Sequence, residues 1–238
     1  LRQGVKLIVP SLDCVGYMAR SFDDLSLIHA VVTGRDATAL EDGPPRLPRV
    51  AICRSPLWQD AEPATVNAFE QAIQRLEELG AETEQLELPE HFHGLEKAHA
   101  TIMDVGLARS LRPEYDAHQE LLSERLLERM ERGMNSSTNE YLQALSLAAR
   151  CQREMDELLG PWDGLLTPSA RGEAPEGFSM TGHPTFNMIW TLLHVACVTV
   201  PGLTGPLGLP VGLQLVARQG ADYELLRLGK WLHTRLVD

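Results

Sequence analysis

The chain has 238 residues, with 33 acidic and 21 basic side chains and a formal charge of −12 when histidine is neutral. With 44% hydrophobic and 23% charged residues it is too apolar to be disordered, and it is long enough for one large domain or two small ones. The acidic balance argues against nucleic acid and anionic membrane surfaces as partners, since both are negative. The longest apolar run is broken by His194 and Pro201, short of a membrane span. Cys14, Cys53, Cys151 and Cys197 have no paired spacing, so they read as reduced, mostly buried thiols of a cytoplasmic protein.

In chain order, Val5–Val9 is apolar and β-favouring and reads as a strand. A strand so early suggests a cut end, the chain being the later part of a longer polypeptide; a trimmed tag or leader is the alternative. Ser21 and Asp24 have the spacing of a helix N-cap, Leu25, Ile28, Val31 and Val32 follow at helical period, and Gly34 stops the helix. A Pro-rich linker covers 35–48. Arg49–Cys53 reads as a buried strand. Pro63 suits the first turn of a second helix with Val66, Phe69, Ile73, Leu76 and Leu79 as its apolar stripe. Ala81–Leu88 reads as a strand parallel to the first, completing a βαβ unit. From Glu90 to Leu159 the pattern is helical. Pro113 and Gly133–Thr138 divide it into three helices, with a capping box at Ser137 and Glu140. Asp163–Thr167 is a short strand, Phe186–Leu193 a helix and Ala196–Val200 a strand. Gly202–Pro210 is a loop, Val211–Val216 a strand and Tyr223–Leu236 a closing helix. The order predicts an α/β fold, a mixed β-sheet covered by helices, with about 90–159 as a helical cover.

Reactive constellations are sparse. There is no Gly-x-Ser-x-Gly elbow, and Cys14 has no adjacent base to make it a thiolate. Glu90, His91, His93, Glu96 and His99 are crowded, but His-x-His at a helix start reads as a solvated face rather than a metal site. The glycine-rich stretch 202–212 lacks the Gly-Lys-Ser/Thr and the basic residue of a phosphate loop. Only Lys6, Lys97 and Lys230 are present, so no Ser–Lys pair can be assembled from sequence neighbours. No cofactor is indicated.

Gly4–Arg20, GVKLIVPSLDCVGYMAR, resembles the segment that follows the nucleophile loop in amidase signature enzymes. Ser11, Leu12, Asp13, Val15, Gly16, Ala19, Arg20, Ser21, Asp24 and Leu25 fall on that pattern, with Tyr17 in place of the usual Pro. Asp163–Pro168, Ala174-Pro175, Phe186–Pro201 and Gly208–Val216 resemble later segments of the family.

The resemblance implies the C-terminal portion of a larger amidase-like domain, with this chain as a single unit of it. The family's catalytic Lys, its Ser in a cis peptide and its nucleophilic Ser would all precede Leu1. In the parent chemistry, Lys deprotonates the nucleophile through the bridging Ser, the nucleophile attacks an amide carbonyl, and water releases the acyl-enzyme. The expected partners are a small-molecule amide substrate and the missing N-terminal segment or a second chain, with a homodimer possible. By position, Asp13 and Arg20 would support the nucleophile loop; an ordinary surface pair is the alternative. Phe186, Asn187, Trp190, Thr191 and His194 would line the acyl pocket, where His194 and Ala196 replace the usual Gly and Pro. Arg129 falls where some relatives bind a carboxylate, or on a charged helix face with Glu128 and Glu131. Two other readings stay open: a non-catalytic pseudo-enzyme or interaction domain, and an unrelated small-molecule-binding α/β domain.

Overall fold

The computed structural model describes residues 4–35, 40 and 44–237. The first helix, Phe22–Thr33 (α1), starts where Ser21 Oγ accepts the Asp24 N–H at 3.0 Å and ends at Gly34 with φ 68°. Both ends follow from the sequence, because a hydroxyl satisfies a free N–H and only glycine enters the left-handed region cheaply. Arg49–Ile52 (β1), Pro63–Glu78 (α2) and Glu82–Gln85 (β2) form the expected unit, with β1 and β2 parallel. Part of the expected linker, 36–39 and 41–43, lies outside the described residues.

The helical stretch contains four α-helices, not three: Leu95–Ser110 (α3), Arg112–His118 (α4), Glu124–Asn135 (α5) and Thr138–Leu159 (α6). Pro113 sits in the first turn of α4, where its missing N–H is harmless. The extra break comes after His118, where a 3-10 turn at Gln119–Leu121 intervenes. The capping box forms as expected: Ser137 Oγ accepts the Glu140 N–H and Glu140 Oε2 accepts the Ser137 N–H at 2.9 Å.

Gly164–Pro168 (β3), Met188–Leu193 (α7), Ala196–Thr204 (β4), Pro210–Ala217 (β5) and Asp222–Val237 (α8) complete the fold. The sheet order is β2-β1-β3-β5-β4; β3 is parallel to β1 and antiparallel to β5, and β4 is antiparallel to β5. The sheet is therefore mixed. Alternation along each strand separates two cores. Ala51, Leu165 and Val216 face one layer with Leu95, Ile102, Cys151, Met155 and Trp190. Val50, Ile52, Leu166, Leu213 and Leu215 face the other with Phe69, Leu76, Trp231 and Leu232.

Two expectations are corrected. Val5–Val9 is not a strand: Asp13 Oδ2 accepts the Ile8 N–H at 2.8 Å and the Val9 N–H at 3.1 Å, and Val9 O receives the Leu12 and Asp13 amides. A turn that uses those groups takes Ile8 and Val9 out of any ladder. The loop expected over 202–210 is shorter, because β4 continues to Thr204 past a register shift between Val200 and Leu203. Pro201 has no N–H and Gly202 has φ 138°, so the irregularity is local and pairing resumes. The thiols divide evenly: Cys53 and Cys151 are buried, while Cys14 and Cys197 are exposed.

The seam between α3 and α5 is a close contact within the cover. A Cβ on Gly133 would collide with the Asp104 carbonyl, so only glycine fits. On the same seam Asp104, 5% exposed, accepts Arg129 Nε at 2.7 Å and Arg132 Nε at 2.9 Å. His99, 8% exposed, is held neutral: burial, then the positive Arg129, lowers its pKa from 6.5 to about 4, with Asp104 opposing. Gly133→Ala is expected to destabilise the chain by about 2–3 kcal/mol in a chemical denaturation curve. Because the folded pKa of His99 is depressed, its contribution is intact above pH 6.5 and is lost as pH falls toward 4. The stability difference between wild type and His99→Gln should therefore shrink by up to roughly 3 kcal/mol over that window, read from denaturation curves at each pH.

Candidate functional site

The opening turn, α7 and the end of β3, which carry several of the expected site residues, are joined by hydrogen bonds. Val9 anchors the opening segment on α3: a Cβ on Gly106 would lie 2.7 Å from Val9 Cγ1, so the segment seats directly on the helix backbone. Asp13 fixes the turn that follows through the two amides described above. Arg20 lies further along, lining a cleft of about 410 Å³ with Val15, Tyr17, Met18, Cys197 and Thr199.

The helix α7 joins this segment through its C-terminal residue. His194 is left-handed, φ 57°, and its backbone N–H returns to Thr191 O. That conformation aims the ring at the opening segment, where Nε2 donates to Ser11 O at 2.8 Å. Nδ1 lies 3.5 Å from Gln152 Nε2, which donates to Leu192 O at 2.8 Å. One histidine thus ties α6, α7 and the turn at Ser11 together. At the other end of α7, Asn187 Nδ2 donates to Ser169 O at 2.9 Å, and Thr191 Oγ1 donates to Asn187 O at 3.1 Å. Phe186 and Trp190 are buried in the interior, 0% and 1% exposed, so they back this wall instead of facing solvent.

A second polar group gathers where β3 ends. Ser169 Oγ donates to Gly212 O at 2.5 Å. Arg171 bridges Asp60 Oδ2 at 2.5 Å and Thr185 Oγ1 at 2.7 Å. Glu173 accepts the Leu207 and Leu209 amides, fastening the tip of the β4–β5 hairpin, and Gly205 lies so close that a Cβ there would collide with the Glu173 side chain. Between these groups, Thr167, Gln214 and Thr199 lie side by side across β3, β5 and β4. Thr167 Oγ1 and Gln214 Nε2 are buried and have no hydrogen-bond partner among the described residues.

Arg129 is elsewhere, on the α3–α5 seam, with its guanidinium on Asp104. Of the expected residues, the structure brings Asp13, Asn187, Thr191 and His194 onto segments that touch, places Phe186 and Trp190 behind them, and leaves Arg20 on the neighbouring cleft. Sequence reasoning missed Gln152, Ser169, Arg171 and Glu173. Ser169 directly follows the strand's Thr-Pro end, which was a usable signal. The others act only through distant partners, so no local pattern marks them. In the crowded acidic and histidine stretch, His91 Nε2 lies 2.7 Å from Glu154 Oε2, and among the described residues no group of three or more ligating side chains is placed to hold a metal ion. No described helix is long and apolar enough to cross a membrane.

Chemically this is a wall of fixed donors and acceptors without a Ser–Lys pair among the described residues; His183 Nδ1 does lie 2.6 Å from Thr185 Oγ1, but that hydroxyl is buried and also accepts Arg171 Nε. Lys6 is bound to Glu114, Lys230 to Asp23 and to Leu40 O, and Lys97 is exposed on α3. His194→Gly should relieve the left-handed backbone yet release Ser11. The expected outcome is faster amide hydrogen exchange over residues 8–13, with global stability changed by only about 1 kcal/mol. Unchanged exchange there would remove His194 from its tying role.

The amidase family's sequence profile matches residues 2–226. A 2-amino-5-chloromuconic acid deaminase of Comamonas testosteroni is 29% identical over 94% of this chain and 51% of its own length. A glutamyl-tRNA(Gln) amidotransferase subunit from Anaeromyxobacter sp. (strain K) is 28% identical over 99% of this chain and 57% of its own length. A crystal structure of an amidase superposes with a TM-score of 0.85 at 24% identity, over 96% of this chain and 54% of the other. The chain therefore spans about half the length of the curated relatives it matches. Its profile match, its mixed sheet and its helical layers place this chain in the amidase family.

Proposed function

We propose that this chain is the C-terminal portion of an amidase-type hydrolase that cleaves carbon–nitrogen bonds of a small amide. In this reading the Lys, bridging Ser and nucleophilic Ser belong to polypeptide outside these 238 residues. The carrying observation is the superposition on an amidase over 96% of this chain but only 54% of the other, together with three lysines that are engaged or exposed away from any serine base pair. The motif order from Ser11 through Val216 supports the same assignment.

The roles of the residues follow from their placement. Asp13 holds the turn at 8–13 in one conformation, as support for the adjoining nucleophile loop. Asn187, Thr191 and His194 offer polar groups from α7 toward the acyl group, and Phe186 and Trp190 stiffen that helix from behind. His194, where relatives have Gly, adds a ring that narrows the pocket and restricts acyl size. Arg129, bound to Asp104, holds the cover together instead of meeting a substrate carboxylate. A second chain as the source of the missing residues is compatible with relatives named as amidotransferase subunits.

Two measurements test this. The reading frame before the codon for Leu1 is expected to encode a Gly-Gly-Ser-Ser-Gly-Gly run preceded by a Lys. The 238-residue chain alone is expected to show no covalent labelling by a fluorophosphonate probe; labelling at Ser11 or Ser21 would overturn the assignment, because the nucleophile would then lie within this chain.

A further inference from the structure

The helix α3 has two working faces. Gly106 seats the opening segment, while Val105 and Arg109, with Arg112 at the start of α4, line a separate cleft of about 400 Å³ against the end of α5 and the start of α6. Met134 and Tyr141 give this cleft apolar surface, and Thr138 adds a hydroxyl. No acidic side chain lines it, although the chain carries 33 acids against 21 basic residues. Two other clefts set an acid beside their arginines, Asp222 with Arg20 and Glu78 with Arg75. Here the carboxylates close in sequence are engaged outside the lining. Asp116 accepts Arg112 Nε at 2.9 Å, and Glu140 is turned into the capping box at Ser137.

We infer that this cleft binds the phosphoryl group of a small molecule, with Arg109 and Arg112 as its anchors. Arg109 lies over the Tyr141 ring, 4.6 Å from its centroid, and has no ion pair among the described residues. A guanidinium stacked by its face keeps its in-plane N–H fork open, and that fork matches two oxygens of a phosphate. Arg112 gives Nε to Asp116 and Nη1 to Met134 Sδ at 3.4 Å, which holds the side chain at the cleft and leaves Nη2 for a ligand. Thr138 Oγ1 makes no hydrogen bond among the described residues and is a third donor, on a different helix. Donors on the α3–α4 junction and on α6 suit a tetrahedral oxyanion, whose oxygens point several ways, better than a planar carboxylate. The cleft is larger than a phosphate, and Val105, Met134 and Tyr141 offer cover to an organic body. The site stands apart from the hydrolase reading, because it uses none of the residues given a role there.

The probes are inorganic phosphate and phenyl phosphate, titrated into the full 238-residue chain at constant ionic strength and followed by amide NMR shifts, with acetate as the comparison. Saturable shifts are expected in residues 105–112 and 134–141 for both phosphates, with acetate about tenfold weaker or more. Arg109→Gln and, independently, Arg112→Gln should each weaken phosphate about tenfold or more. Arg218→Gln, in the cleft that also carries Asp163, should leave it unchanged. Arg109 and Arg112 are exposed, so the variants should keep wild-type unfolding curves. Phenyl phosphate binding tighter than inorganic phosphate identifies a phosphate monoester as the source, and equal binding identifies the free ion; both keep the site. Shifts that never saturate, shifts centred elsewhere, acetate as strong as phosphate, or full binding by either arginine variant would each overturn it.

Discussion

Everything in this molecule closes on β3. All five residues of Gly164–Pro168 are buried, and the strand is parallel to one neighbour and antiparallel to the other. It has no solvent face to relax into, so both cores must be packed at once. Leu165 serves one layer and Leu166 the other. Gly164 lets Leu228 approach to 2.7 Å of where a Cβ would sit, which brings α8 onto the sheet. Burial of this kind is worth roughly 1.5–3 kcal/mol for each large apolar side chain, the scale on which a domain's net stability is decided. The strand's last residues also deliver the chain to Ser169 and Arg171, so the scaffold and the polar wall share one origin.

The candidate site is made by contact between segments far apart in sequence. His194 reaches Ser11 across 183 positions, Gln152 reaches Leu192 across 40, and Ser169 reaches Gly212 across 43. Each link is one hydrogen bond worth about 1 kcal/mol, so none dominates. Together they fix α7 relative to the opening turn.

Much of the fold is legible in the sequence because its signals are local. Ser21 with Asp24, Ser137 with Glu140, Gly34 and Pro63 each act within one helical turn, and each defines the end it predicts. The two faces of β1 and β3 are legible as well, since buried strands read as apolar runs. The opening segment is misread for a specific reason: Val5–Val9 has a strand's composition, but the deciding atom belongs to Asp13, several residues later. The extra break after His118 has no marker residue. The polar wall is legible only where a family resemblance points to it; Gln152, Arg171 and Glu173 look like ordinary surface residues until the chain is folded.

Glu173 carries a consequence of its own. One carboxylate receives two amides of the hairpin tip while standing on the long connection after β3, and it lies in the space that the missing Cβ of Gly205 leaves open. These two stretches therefore form a single mechanical piece. In chimeras between relatives, exchanging either stretch without the other would strand an acid among backbone donors it no longer matches, so the two must be transplanted as a pair.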